Sequence, residues 1–444
     1  MKIQPAIRGL LARGLLLLAV LAGLTILINL SWFDEPLHPD LLALSTPRPV
    51  SMDDNAYPLI YGLPAAEDKD PIAAGRTIVQ ELRERYQQGR RIALSVEEMD
   101  AILGGSGLDV PWQGKVESLT CNSRSSLDCA DRLIAQVGQA DIPPRLRTLL
   151  ARYETILRES RFEEIQELDV YSPVPAYGLL MSVGRMRLAI SYKREPADQF
   201  LAKVAEDFDF WRTLLRDGDS LIANMVALAG LRNDLEFLSA SMRLGEPSEE
   251  ELELIRSVLE PLTSAERDIG EAFLSELRIA LLSEKPLVVT MGEPSWVTRL
   301  TLQEHATLNE YYLATTVPLR LRATLSAEEF YGQRGYERMT YNVRAFPPPL
   351  FNLGGKLALK QTPAYQDYIS RVHDLDGRIA LVLLQTEIEQ KSGQSVAAIV
   401  QSSKHRNPYT LAPMKYDVQT RTIGFECLSN PNDVCSVALG PLTR

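Results

Sequence analysis

The chain opens on an apolar block. Gly14 to Phe33, "GLLLLAVLAGLTILINLSWF", carries no charge. Twenty residues at about 1.5 Å each reach about 30 Å, the depth of a bilayer's hydrocarbon core. Lys2, Arg8 and Arg13 precede the block and Asp34 and Glu35 follow it, a bias that holds the N-terminus in the cytoplasm and exports the rest. Asn29-Leu30-Ser31-Trp32-Phe33 lacks the small residues of a cleavage site, so the block reads as an uncleaved anchor rather than a signal. Four prolines between Asp34 and Pro49 predict an extended tether after it.

From Ser51 onward the apolar positions repeat at three and four residues. Asp70 and Pro71 open a helix through Ile72, Gly75, Val79, Leu82 and Tyr86. Pro143-Pro144 starts another with a stripe of Leu146, Leu149, Leu150, Tyr153, Ile156 and Leu157. The spacing predicts further helices over about 197–216, from Ser220 through Met242, after the capping box Ser248-x-x-Glu251, and over about 264–282. Ala223, Ala227, Ala229 and Gly230 allow a neighbouring helix to approach closely. After Lys285 the texture changes. "PLVVTM" (286–291) and "MTYNVRAF" (339–346) read as strands, a helix carries Tyr368 to Leu383, and "MKYDVQTRTIGFEC" reads as a strand pair turning near Asp417 to Arg421.

These elements predict a mainly α helical array with a small α+β C-terminal part and one N-terminal transmembrane helix. The expected divisions are a cytoplasmic 1–13, an anchor 14–33, a tether 34–50, a helical domain 51–285 and an α+β region 286–444 with a C-terminal β-hairpin. A chain of 444 residues suffices for two or three such units, and its 45% hydrophobic and 24% charged content is ordinary for a globular protein. The net charge of −11 repels nucleic-acid phosphates and anionic lipid headgroups. No nucleic acid is therefore an expected partner, and the bilayer is met through residues 14–33.

The four cysteines form two pairs with seven residues between, Cys121 with Cys129 and Cys427 with Cys435. Export favours two disulfides, each closing a loop worth roughly 2.5 kcal/mol in the entropic account. The rival is a four-cysteine zinc site, whose pairs usually stand about two to four residues apart. Disulfides come ahead on that spacing.

Several stretches together resemble a group of membrane-anchored proteobacterial proteins: "DDNAYPLIYGL", "DPIAAG", the Cys121 and Cys129 pair, "LLARYETIL", "DFDFWRTLLRDGDSLIANMVALAGLRNDLEFLS" and "HATLNEYY". The closing "RNPYTLAPMKYDVQTRTIGF" is similar to a segment of exported bacterial proteins, in which a long helix leads to an Asp-Pro-Phe-like turn and a β-hairpin. Here Asn407 stands in place of the Asp and Leu411 in place of a Gly. The resemblance implies a bacterial envelope protein, with its C-terminal part in the periplasm and its anchor in the inner membrane. It carries over no catalytic residue.

Chemistry is sparse. The four histidines, His38, His305, His373 and His405, stand far apart, and zincin, lipase-type serine, Walker A and EF-hand patterns are absent. No cofactor or metal is expected. Glu304, His305 and Asn309 come together if their segment is helical, with Glu310, Tyr311 and Tyr312 beside them, and could hold a substrate hydroxyl or shuttle a proton. Structural hydrogen bonds account for the same residues. Asp53 and Asp54 in "DDNAY" suit a metal or sugar site, or equally a helix cap. Glu206, Asp207 and Asp209 offer a carboxylate against Trp211, or an exposed acidic face with an Asp209–Arg212 pair. Two functions compete on this ground. One is a single-pass envelope protein whose helical domain binds another envelope protein or scaffolds a complex. The other is an exported hydrolase of envelope material that uses Glu304, His305, Asp53 or Asp54. The first predicts a broad apolar groove, the second a deep pocket where the acidic residues and His305 converge.

Overall fold

The computed structural model describes residues 5–29, 31–89, 94–105, 128–137, 142–282, 301–333, 351–360, 365–430 and 433–440. In chain order the helices begin with α1 (Pro5–Ile28), α2 (Pro39–Leu44), α3 (Ala56–Gly62), α4 (Pro71–Gln87), α5 (Val96–Leu103), α6 (Cys129–Val137) and α7 (Pro144–Leu157). Then come α8 (Tyr177–Arg194), α9 (Ala197–Asp217), α10 (Leu221–Leu244), α11 (Glu249–Val258), α12 (Ser264–Arg267) and α13 (Gly270–Leu282). The last are α14 (Glu304–Tyr311), α15 (Val317–Ala323), α16 (Ala327–Gly332), α17 (Leu353–Leu359), α18 (Gln366–Gln390) and α19 (Val396–Ser402), before strands β1 (Lys415–Asp417), β2 (Thr422–Gly424) and β3 (Ser436–Ala438). The protein is thus mainly helical with one small antiparallel sheet at its C-terminal end.

Caps place the helix starts where the sequence put them. Asp70 accepts the Ile72 N–H at 3.0 Å with Pro71 at the first position of α4. Ser248 and Glu251 form the expected capping box, and Ser95 with Glu98, Thr263 with Glu266 and Ser326 with Glu329 repeat the device. The helix expected over 264–282 is broken in two, because Asp268 leaves helical geometry and accepts the Gly270 N–H at 2.9 Å.

The chain divides into two compact units, each assembled from three separate stretches. One holds residues 47–276, 320–334 and 365–444, the other residues 1–46, 277–319 and 335–364. The reason lies in α18, whose apolar face packs on α10 and α11 and so joins the C-terminal region to the middle array. In this larger unit α9 and α10 are neighbours through the small residues expected, with Gly230 seated against the Trp211 ring. The hairpin β1–β2 forms around Asp417 to Arg421, and β3 adds a third antiparallel strand that pairs Ile423 with Val437. Cys427 and Cys435 are bridged between β2 and β3. Cys129 is also disulfide-bonded, while its expected partner Cys121 lies outside the described residues. The strands expected at 286–291 and 339–346 fall outside them as well.

In the smaller unit the apolar block behaves differently from expectation. α1 begins at Pro5 and stops at Ile28, so it is not a helix over 14–33. Asn29 ends it, donating to the Thr25 carbonyl at 2.7 Å, and Ser31–Phe33 form a separate 3-10 turn. Among the described residues no helix is long and apolar enough to cross a membrane. The tether is not extended either. Pro39 at the first position of α2, with His38 capping Asp40, folds it into a short helix.

Candidate binding groove

The favoured histidine cluster lies in the smaller unit and is a docking clamp. Asp34 places one carboxylate oxygen 3.0 Å from the His305 N–H and the other 3.0 Å from the Ala306 N–H, so its negative charge caps α14. His305 Nδ1 donates to the Glu35 carbonyl at 3.1 Å, and both Glu304 and His305 are exposed. Asn309 is buried, accepting from the His38 N–H at 2.8 Å and donating to Glu35 Oε1 at 2.8 Å and the Pro36 carbonyl at 3.0 Å. Tyr312 donates to Asp40 at 2.6 Å. Glu310 faces Lys356 at 3.7 Å. Of the polar groups expected to serve a substrate, His305, Asn309 and Tyr312 are spent on residues 34–40.

The acidic candidates of the larger unit are also structural. Asn55 Oδ1 accepts the Tyr57 N–H at 3.1 Å and caps α3; Asp54 turns with a φ of 52°, and Asp53 stands exposed beside Arg76 at 3.2 Å. Asp207 differs from the exposed acidic face allowed by its sequence. It is 1% exposed, with Arg187 Nη1 at 2.8 Å and the Tyr153 hydroxyl at 3.3 Å. Burial pushes its carboxyl up to about 7 against the pull of Arg187. Asp234, 2% exposed, is raised well above the ordinary range by burial and then by the charge of Asp207. Asp209 is exposed, and the Asp209–Arg212 pair is not made: Arg212 forks onto Glu266 at 2.6 and 2.7 Å.

A cavity of a different kind lies in the larger unit between the end of α11, the middle of α18 and residues 404–408. Its volume of about 970 Å³ is at the large end of small-ligand sites. Leu259, Pro261, Ile379, Ala380, Leu383 and Pro408 give it an apolar floor. Pro261 directs the chain away after α11, and Asp376 holds that turn by accepting the Leu262 N–H at 3.1 Å and Arg267 at 3.2 Å. Glu387 accepts from Lys391 at 2.7 Å and from the Ser403 hydroxyl at 2.6 Å, which fixes the end of α19 against the groove. Those hydrogen bonds keep the Glu387 carboxylate below its ordinary range despite burial.

The groove is basic at one end. Lys404 and Arg406 line it and make no ion pair among the described residues. His405 between them is held below its ordinary range, first by burial and then by Lys404, so it is neutral at pH 7. This end is positive on a chain whose net charge is −11. Sequence reading missed the groove because its walls come from three separate stretches. The single local signal is Lys404-His405-Arg406, a basic triplet directly after a helix end.

Comparison with known proteins finds no matching family model, no matching curated protein and no matching solved structure.

Proposed function

We propose that this is a single-pass bacterial envelope protein whose exported helical part binds a segment of another envelope protein in the α11–α18–α19 groove. The observation that carries the binding reading is the groove itself: a broad apolar floor closed at one end by basic side chains that make no ion pair among the described residues. Such a surface suits an extended segment that mixes apolar and acidic residues. The hydrolase reading draws on Glu304, His305, Asp53 or Asp54, and each of these has a capping partner or an exposed position.

The anchor and the bacterial inner membrane belong to the same proposal. Support comes from α1, in which Leu15, Leu16, Leu17 and Leu18 are 67%, 67%, 61% and 63% exposed with no protein face over them. Trp32, 87% exposed just past the helix, suits the interface. The disulfides fit an oxidising periplasm.

The test is a photo-crosslinking residue at Leu383, inside the groove, and another at Val418, on the exposed hairpin turn, each in full-length protein in its own membranes. A protein adduct at Leu383 and none at Val418, weakened by the double charge reversal Lys404→Glu and Arg406→Glu, is expected. Equal or absent labelling at the two positions refutes the groove. A reporter fused to Arg444 that works only after export checks the topology, and an inactive reporter refutes the exported placement.

A further inference from the structure

On the opposite side of α18 from the groove, a small cleft is lined by three arginines. Arg232 comes from α10, and Arg371 and Arg378 from α18, with Ser429 and Asp433 of the disulfide loop closing the end. The cleft has a volume of about 30 Å³, and a second of about 30 Å³ beside it shares Arg232 and Arg378. Two water molecules, or the oxygens of one anionic group, fit such a space.

Two of these arginines hold donors that no acceptor takes up among the described residues. Arg371 Nε is buried with no hydrogen-bond partner, and Nη1 finds only Met225 Sδ at 3.5 Å. Its guanidinium is held in place by the Tyr368 ring, 4.8 Å from the centroid. Arg378 makes no hydrogen bond or ion pair among the described residues. Asp374, which lines the cleft, is already committed: it accepts the Tyr409 hydroxyl, the Leu428 N–H at 2.9 Å and the Ser429 N–H at 3.0 Å. Asp433 accepts the Ser429 hydroxyl at 3.1 Å, and Arg243 at the far end is forked onto Asp131 at 2.5 and 2.6 Å. Unmatched guanidinium donors in a half-buried cleft carry a desolvation cost that an oxyanion relieves.

We propose that Arg232, Arg371 and Arg378 form a binding site for a phosphoryl group. Guanidinium forks match the oxygens of a phosphoryl group in pairs, so Arg371 and Arg378 supply the open donors and Arg232 adds a third positive charge beside them. The cleft is open, so the group can be inorganic phosphate, a phosphorylated small molecule or a lipid headgroup. The proposal is independent of the groove, which lies on another face of α18.

Calorimetric titration of the full-length protein in detergent tests the site with inorganic phosphate, glycerol 3-phosphate and soluble dihexanoyl phosphatidic acid. At least one probe binds with one-to-one stoichiometry, and Arg371→Gln or Arg378→Gln weakens it at least tenfold. Should either variant fail to melt cooperatively, Arg371→Lys and Arg378→Lys replace them, because they keep the charge but lose the fork. Tighter binding of phosphatidic acid identifies a lipid source; equal or tighter binding of the two lipid-free probes identifies a soluble one. The site is overturned when none of the three probes binds, or when binding survives in both arginine variants. Lys193→Gln, at the exposed end of α8, leaves the affinity unchanged.

Discussion

Replacing Asp207 with Asn isolates the energetics of the buried charges on α8, α9 and α10. Arg187 and Asp207 are 4% and 1% exposed and stand 2.8 Å apart, and the other acidic neighbours of Arg187, Glu206 and Glu154, have side chains 59% and 41% exposed. Burial raises the folded carboxyl to about 7 from an ordinary 3.8, so the native state holds a proton that the unfolded chain releases. The contribution of Asp207 is therefore complete below about 3.8 and is lost as pH rises through 7. Asn keeps the shape of the neutral carboxyl and does not titrate. In urea unfolding followed by circular dichroism, the cost of Asp207→Asn should therefore fall from pH 5.5 to pH 8, by on the order of 2 kcal/mol. Asp234→Asn should follow the same direction, because burial and then the charge of Asp207 raise the Asp234 carboxyl. An equal cost at both pH values, or a larger cost at pH 8, would refute the raised carboxyl of Asp207.

Stability should also depend on pH in a fixed direction. Burial pushes Glu164, which accepts the Ser220 N–H and hydroxyl, and Glu236 up to about 7, so the fold keeps protons that the unfolded chain releases near 4.5. Their contribution is complete below about 4.5 and is lost as pH rises through 7, on the order of 3 kcal/mol for each group. Glu266 and Glu387, held low by their partners, act oppositely below 4.5. Thermal melts should peak between pH 4.5 and 6.5, and a melting temperature still rising toward pH 8 contradicts this. Asp34→Ala should strip protection from the His305 and Ala306 amides in hydrogen exchange and cost about 1–2 kcal/mol, whereas Asp53→Ala, an exposed pair, should cost less than about 1 kcal/mol. Leu411, 56% exposed with a φ of 55°, sits in a left-handed turn, so Leu411→Gly should stabilise the protein by about 1 kcal/mol in urea titration.

The readable part of the fold is the part written locally. Capping boxes, prolines at helix starts and apolar stripes named α4, α7, α9, α10, α11 and α18, since each is a property of a few successive residues. The C-terminal turn was readable too. Asn407 stands where Asp was expected and does its work, accepting the Tyr409 N–H at 2.9 Å and the Thr410 N–H at 3.3 Å. Unreadable features join residues far apart in sequence. Asp34 caps a helix that begins at Glu304, Arg187 finds Asp207 across two helices, and β3 pairs with β2 beyond the Cys427–Cys435 bridge. None leaves a mark at spacing three, four or two.

The same contrast explains why the candidates chosen for chemistry became structure, while better ones passed unnoticed. Polar residues next to helix starts are conspicuous in sequence, but unsatisfied backbone N–H groups lie there and recruit them. Asn55 and Asp34 were taken up in that way. The arginines of α18 carry a different signature. Arg371, Leu375, Arg378 and Val382 follow one another at four, three and four residues, so two charges share a helical face with apolar residues that pack inward. A charge at a core position is costly without a purpose. Among the described residues neither is answered by a carboxylate within hydrogen-bonding reach, and Asp374 between them is occupied by Tyr409, Leu428 and Ser429. In a chain without a recognisable motif, charges placed against the helical pattern are a stronger pointer to a binding site than charges clustered in sequence.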